Sequence, residues 1–91
     1  MFKDRLRATR ISRGYTQQRL ADVIGIMLRS YQKYESGDSE PAYDYLVILA
    51  NFLSVPTDFL LGRDEYLESL GVSVDVSLEV PPRYPKSRKS R

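Results

Sequence analysis

Arg29 and Lys33 stand four residues apart in the stretch GIMLRSYQKYESG, residues 25–37. At that spacing two side chains share one face of a helix. A guanidinium beside an ammonium offers N–H donors and positive charge to an anion, or to acceptor atoms such as guanine O6 and N7. Two cations on a helix face are also, taken alone, ordinary solvated surface, so their meaning depends on the frame that holds them. Other chemistries find little support. The chain of 91 residues has no Cys and no His, which removes thiolate and imidazole ligands, zinc fingers, disulfides and His-dependent triads. Carboxylates and serines occur, but at no spacing that suggests a catalytic site, and a domain this small has little room for a pocket. No enzymatic activity, cofactor or metal is expected.

The elements that must position Arg29 and Lys33 are helices. Gly14, Gly25, Gly37, Gly62 and Gly71 each follow a helix-length stretch, the usual place of a C-terminal cap. Residues 2–13 put Phe2, Leu6, Arg10 and Ile11 on one helical face. Thr16 can N-cap QQRLADVI, with Leu20, Val23 and Ile24 sharing a face. MLRSYQKYE follows, then a loop over 38–41 rich in Ser, Asp and Pro. Residues 42–53 form a strongly apolar helix with Leu46, Leu49, Ala50 and Leu53 inward. Pro56 opens a short helix, TDFLL, and DEYLESL adds one or two turns.

Charge is segregated along this frame. Residues 1–33 carry eight Lys/Arg against two acids, residues 34–80 one against ten, and residues 81–91 five against none. Such segregation points to a face and a tail that meet a polyanion, or to an uneven solvated surface. The N-terminal residues are charged from Lys3 onward and lack an apolar core, unlike a secretory signal. The longest apolar stretch, YLVILANFL, is far short of the roughly 20 residues that span a bilayer. No membrane association and a cytoplasmic location are expected.

Between Gln17 and Ser36 the apolar positions are Leu20, Ile24, Ile26, Tyr31 and Tyr34, with small Ala21 and Gly25 among them. Two helices that cross steeply need a small side chain at the contact. The short turn between them needs a residue that takes positive φ without strain. The pattern is a helix-turn-helix, with Tyr31 and Tyr34 assigned to the core.

Three blocks, RLRATRISRGYTQQRLADVIGI, YQKYESGDSEP and LANFLSVPTDFLLG, occur in order over residues 4–63. Together they resemble the Cro/repressor-type (XRE-like) helix-turn-helix regulators. The resemblance implies an all-α fold: a compact, lambda-repressor-like bundle of five helices over residues 1–63. It also implies a sequence-specific DNA-binding transcriptional regulator, read as a homodimeric repressor on double-stranded DNA. The second helix of the pair would enter the major groove N-terminal end first. The positions that match base contacts are Met27, Leu28, Arg29 and Lys33. Gln17 matches a phosphate contact at a helix N-terminus, where the dipole already attracts an anion. Ser30, Gln32, Ser36 and the backbone of Gly37 are further phosphate candidates. Arg10 and Glu35 match an ion pair seen in some relatives. Two features depart from the family. Met27 and Leu28 stand where small polar residues often begin the recognition helix; they cannot cap it, and suit either thymine methyl groups or a protein partner. Asp38 and Glu40, just after the helix, would repel a nearby phosphate. The alternative function is therefore a protein-interaction module on the same fold, antitoxin-like or regulator-binding.

VSVDVSLEV, residues 72–80, alternates Val72, Val74, Val76, Leu78 and Val80 with polar residues, the pattern of a half-buried strand. A lone strand must pair. The expected unit, residues 64–80, is a helical turn plus a β-strand extension that pairs antiparallel with a second copy across a two-fold axis. A fold-back onto its own domain, or disorder in a single copy, is the alternative. Such a dimer would present two recognition helices to a near-palindromic operator, with Tyr43 and Tyr45 as packing or dimer-contact residues. Residues 81–91, PPRYPKSRKSR, are too polar and proline-rich to pack and read as a disordered basic tail adding phosphate contacts.

Overall fold

The computed structural model of the chain describes residues 1–79. Six helices follow one another among these residues: α1 (Phe2–Ser12), α2 (Gln17–Ile24), α3 (Leu28–Ser36), α4 (Tyr43–Leu53), α5 (Thr57–Leu60) and α6 (Asp64–Ser69). The turns expected over 64–70 are α6. None of the helices is long and apolar enough to cross a membrane.

Local chemistry sets the α2–α3 unit. The Thr16 hydroxyl accepts the Arg19 N–H at 3.0 Å and starts α2. Gly25 ends it in the left-handed region, φ +78°, so that Gly25 and Ile26 both donate to the Ala21 carbonyl, at 2.8 and 3.0 Å. A Cβ at Gly25 would meet nothing within 4 Å, so conformation rather than space requires glycine there. Ala21 is fully buried, and α2 packs against both α3 and α4.

The core lies where α1, α2, α3, α4 and α5 converge. Leu6, Leu20, Tyr31, Leu49, Leu53 and Leu60 are its largest fully buried apolar members. Leu67 of α6 is buried against the same cluster. Burying a Leu side chain contributes about 1.5–3 kcal/mol, so these few residues dominate the stability of a chain this short. The α4 end departs from the glycine pattern: Ser54 takes φ +59°. Arg13 reaches across from the end of α1 to hold that turn, its Nε donating to the Leu53 carbonyl at 2.8 Å.

The expected C-terminal β-strand is not formed. Residues 72–79 have no ladder partner among the described residues. They run back over their own domain instead. Val74 and Val76 pack on the core, Arg13 bonds the Asp75 carboxylate at 3.0 Å, and Leu78 shares a surface pocket with Met1, Asp4 and Arg5. The alternation did mark a segment with one face partly buried, but Val74 and Val76 of that face are covered by this chain's own helices while Val72 and Leu78 stay exposed. Val80 and the tail at 81–91 lie outside the described residues.

Candidate nucleic-acid interface

The outer face of α3 is open. Arg29, Ser30, Gln32, Lys33 and Ser36 are exposed, while Tyr31 and Tyr34 point into the core. The helix starts without a side-chain cap: Met27 occupies the cap position, 75% exposed, and Leu28 behind it is half-buried. Among the described residues neither the Arg29 nor the Lys33 side chain is held by an acid. Their charges therefore face solvent from adjacent turns of one helix.

Behind that face lies a buried polar network. Glu35 is 1% exposed. Arg10 grips it with two bonds, Nε to Oε2 at 2.7 Å and Nη2 to Oε1 at 3.0 Å. The Tyr31 hydroxyl donates to Oε2 at 2.5 Å and the Gln17 amide to Oε1 at 3.1 Å. Burial alone would raise the Glu35 pKa, but the bonds from Arg10 and Tyr31, the Arg10 charge and the Gln17 bond outweigh it. The carboxyl is held below its usual range. Burial and the adjacent Glu35 charge push the Tyr31 hydroxyl upward, so it stays a donor. Arg10 also donates to the Tyr15 carbonyl at 2.9 Å, tying the α1–α2 turn to the end of α3.

The network uses residues the sequence suggests for other tasks. Both ends of the Gln17 amide are engaged, since its oxygen accepts from Gln32 at 3.3 Å. Gln17 thus sits at the start of α2 with its side chain turned toward α3. The Ser36 hydroxyl donates to the Lys33 carbonyl, and Gly37, at φ +89°, donates its N–H to the same carbonyl. These two groups close the end of α3. Ser30 carries no such role. The Tyr31 hydroxyl is the functional group the sequence did not disclose; its i, i+4 spacing to Glu35 is the signal that could have found it.

Charge is likewise reassigned. Arg5 forms two bonds to Asp64, at 2.7 and 2.9 Å, with its guanidinium 4.8 Å above the Phe59 ring. Arg10 and Arg13 are engaged as described. Arg19 lies 5.5 and 5.7 Å over the rings of Phe52 and Tyr15. Much of the basic N-terminal third is therefore joinery, and α3 carries the open cations. Asp38 and Glu40 are exposed just beyond it. Among the described residues no acid cluster could hold a metal ion.

A helix-turn-helix family profile matches residues 6–60. An SPbeta prophage-derived uncharacterized HTH-type transcriptional regulator, YonR of Bacillus subtilis (strain 168), is 52% identical over 61 residues, covering 67% of this chain and 56% of that protein. The cryptic phage CTXphi transcriptional repressor RstR of Vibrio cholerae is 46% identical over 62 residues, 68% of this chain and 55% of that one. The chain thus spans about half the length of the curated relatives it matches. A crystal structure of a transcriptional regulator from Listeria innocua superimposes with a TM-score of 0.62 at 21% identity, over 82% of this chain and 79% of that one, a likeness of fold.

Proposed function

This chain belongs to the helix-turn-helix family, and from that premise we propose that it is a DNA-binding transcriptional regulator, a homodimeric repressor that inserts α3 into the major groove. The observation that carries the reading is the division of α3. Its inner face is locked by Tyr31, Tyr34 and the Arg10–Glu35 pair, while Arg29 and Lys33 stand open on the outer face. A rigid helix with two unengaged cations one turn apart suits bidentate donation to guanine. Met27 and Leu28, at the tip, suit thymine methyl groups, and Ser30 with the amides that open α2 suits phosphate. Gln17 serves by holding Gln32 as much as by touching the backbone.

Two such helices one turn of DNA apart would read a near-palindromic operator. Residues 72–80 contribute by pairing with their copy across the two-fold axis. Their Val74 and Val76 face is already seated, so pairing would add a neighbour along the segment without undoing the fold-back. A protein-interaction module is the second reading, and the exposed Met27 is the observation that favours it.

One experiment separates the two. DNA selected in vitro from a random pool is bound by the full chain and by Arg29→Ala and Lys33→Ala. Each change is expected to weaken specific binding by about 1–3 kcal/mol and to relax preference at one position of the site. Unchanged affinity in both variants rejects the DNA reading and leaves the module.

A further inference from the structure

An apolar groove opens between the start of α1, the start of α4 and the end of α5. It is lined by Phe2, Glu40, Pro41, Tyr43, Leu46 and Leu61. Tyr43 is 90% exposed and Leu61 is exposed beside it, so a large ring and an aliphatic chain face water. The groove holds about 240 Å³, smaller than the usual site for a free ligand and suited to a side chain or two. One acid, Glu40, is in its wall, and Asp44 follows the lining residue Tyr43 in the first turn of α4.

We propose that residues 81–91 of the same chain, PPRYPKSRKSR, dock in this groove. Three observations choose this occupant. The first is where the described chain leads. Leu78 shares a pocket with Met1, and the Met1 side chain lies so close over Gly62 that a Cβ there would sit 2.8 Å from its sulfur. Gly62 adjoins Leu61 in the groove wall, so Met1 borders both the pocket that Leu78 lines and the residue beside the groove. The second is charge: five Lys/Arg and no acid stand opposite Glu40 in the groove wall. Lys3, a cation on the same path, is already 3.4 Å from Asp4. The third is chemistry, since a proline-rich segment with its own aromatic ring fits a groove walled by Phe2, Pro41 and Tyr43. A second copy fits less well. Across a two-fold axis it would bring Glu40 and Asp44 against Glu40 and Asp44, like charges that oppose association.

The docking stands apart from the DNA reading; its consequence rests on it. Phe2 and Glu40 also line the pocket that reaches Gly37 at the end of α3. A docked tail therefore masks Glu40 and sets cations where that acid would otherwise repel phosphate.

The test uses the full chain, free of DNA. Ser87→Cys introduces the sole cysteine and carries a nitroxide. Paramagnetic loss of amide intensity is expected at Phe2, Glu40, Tyr43 and Leu61, and not along α2. Tyr84→Ser in the tail and Leu61→Lys in the groove wall should each restore those signals. Loss that is absent from the groove, that is spread evenly over the surface, or that survives both changes overturns the proposal. Loss seen only when label and isotope are on different molecules also overturns it, by placing a second copy's tail in the groove. Each of these failures leaves the Arg29 and Lys33 binding test intact.

Discussion

Glu35 stays ionised in the interior because Arg10, Tyr31 and Gln17 together supply four donated bonds. Its folded pKa is depressed, so its contribution to stability is complete above the ordinary carboxylate value and is lost as pH falls through the folded one. The window is therefore acidic, below about pH 4. Replacing Glu35 by Gln leaves the Arg10 guanidinium buried without its counter-charge, which costs about 3 kcal/mol at neutral pH. The expected result is a large gap in melting temperature between Glu35→Gln and the parent at pH 7 that narrows as the parent titrates below pH 4. Melting curves recorded across that range check it; a gap of constant width would mean that the pair holds geometry without contributing to pH-dependent stability.

At the scale of elements, the joints matter more than the helices. Ser54 ends α4 in a left-handed conformation that costs a non-glycine residue about 1–2 kcal/mol. The strain is held by Arg13, whose guanidinium bonds the Leu53 and Ser54 carbonyls at 2.8 and 3.3 Å. Ser54→Gly keeps both carbonyls and relieves the strain, less the added freedom of the unfolded chain. A net gain of up to about 1 kcal/mol is expected, read as a higher urea midpoint at unchanged slope. A lower midpoint would show that the Ser54 side chain itself supports the turn. This joint also shows what sequence patterns convey. Glycine punctuation and apolar spacing reveal α2, its turn and the inward side of α3, because those signals are local. Ser54 gives no such signal. Nor do the partners of Arg5 and Arg13, which lie 59 and 40 residues away, while the Arg10–Glu35 pair is legible only through the family resemblance; a charge count therefore reads joinery as open surface. The candidate face of α3 was legible for the same local reason, whereas the turning of Gln17 toward Glu35 depends on how α2 and α3 cross.

For the whole molecule the decisive question is what the segment at 72–79 does with its unpaired backbone. Strict alternation marks one side as apolar, but period alone does not name the cover. Here Val74 and Val76 lie on the core, Asp75 is tied to Arg13, and Val72 and Leu78 remain exposed. The segment is thus already held in place, and its ordering entropy is spent within the monomer rather than at the moment of pairing. A second copy would add a ladder of backbone bonds along a segment that needs little rearrangement. If each half of a two-fold site offers its own phosphate and base contacts, such a pairing would couple the two α3 helices. Light scattering should therefore give the mass of a dimer for the full chain and of a monomer for a chain ending at Gly71. Far-UV circular dichroism of the shortened chain must still show its helices, since Val74 and Val76 also cover core. A folded chain ending at Gly71 that keeps the dimer mass would move the two-fold contact elsewhere, and a full-length monomer would remove the dimer from the account of DNA binding.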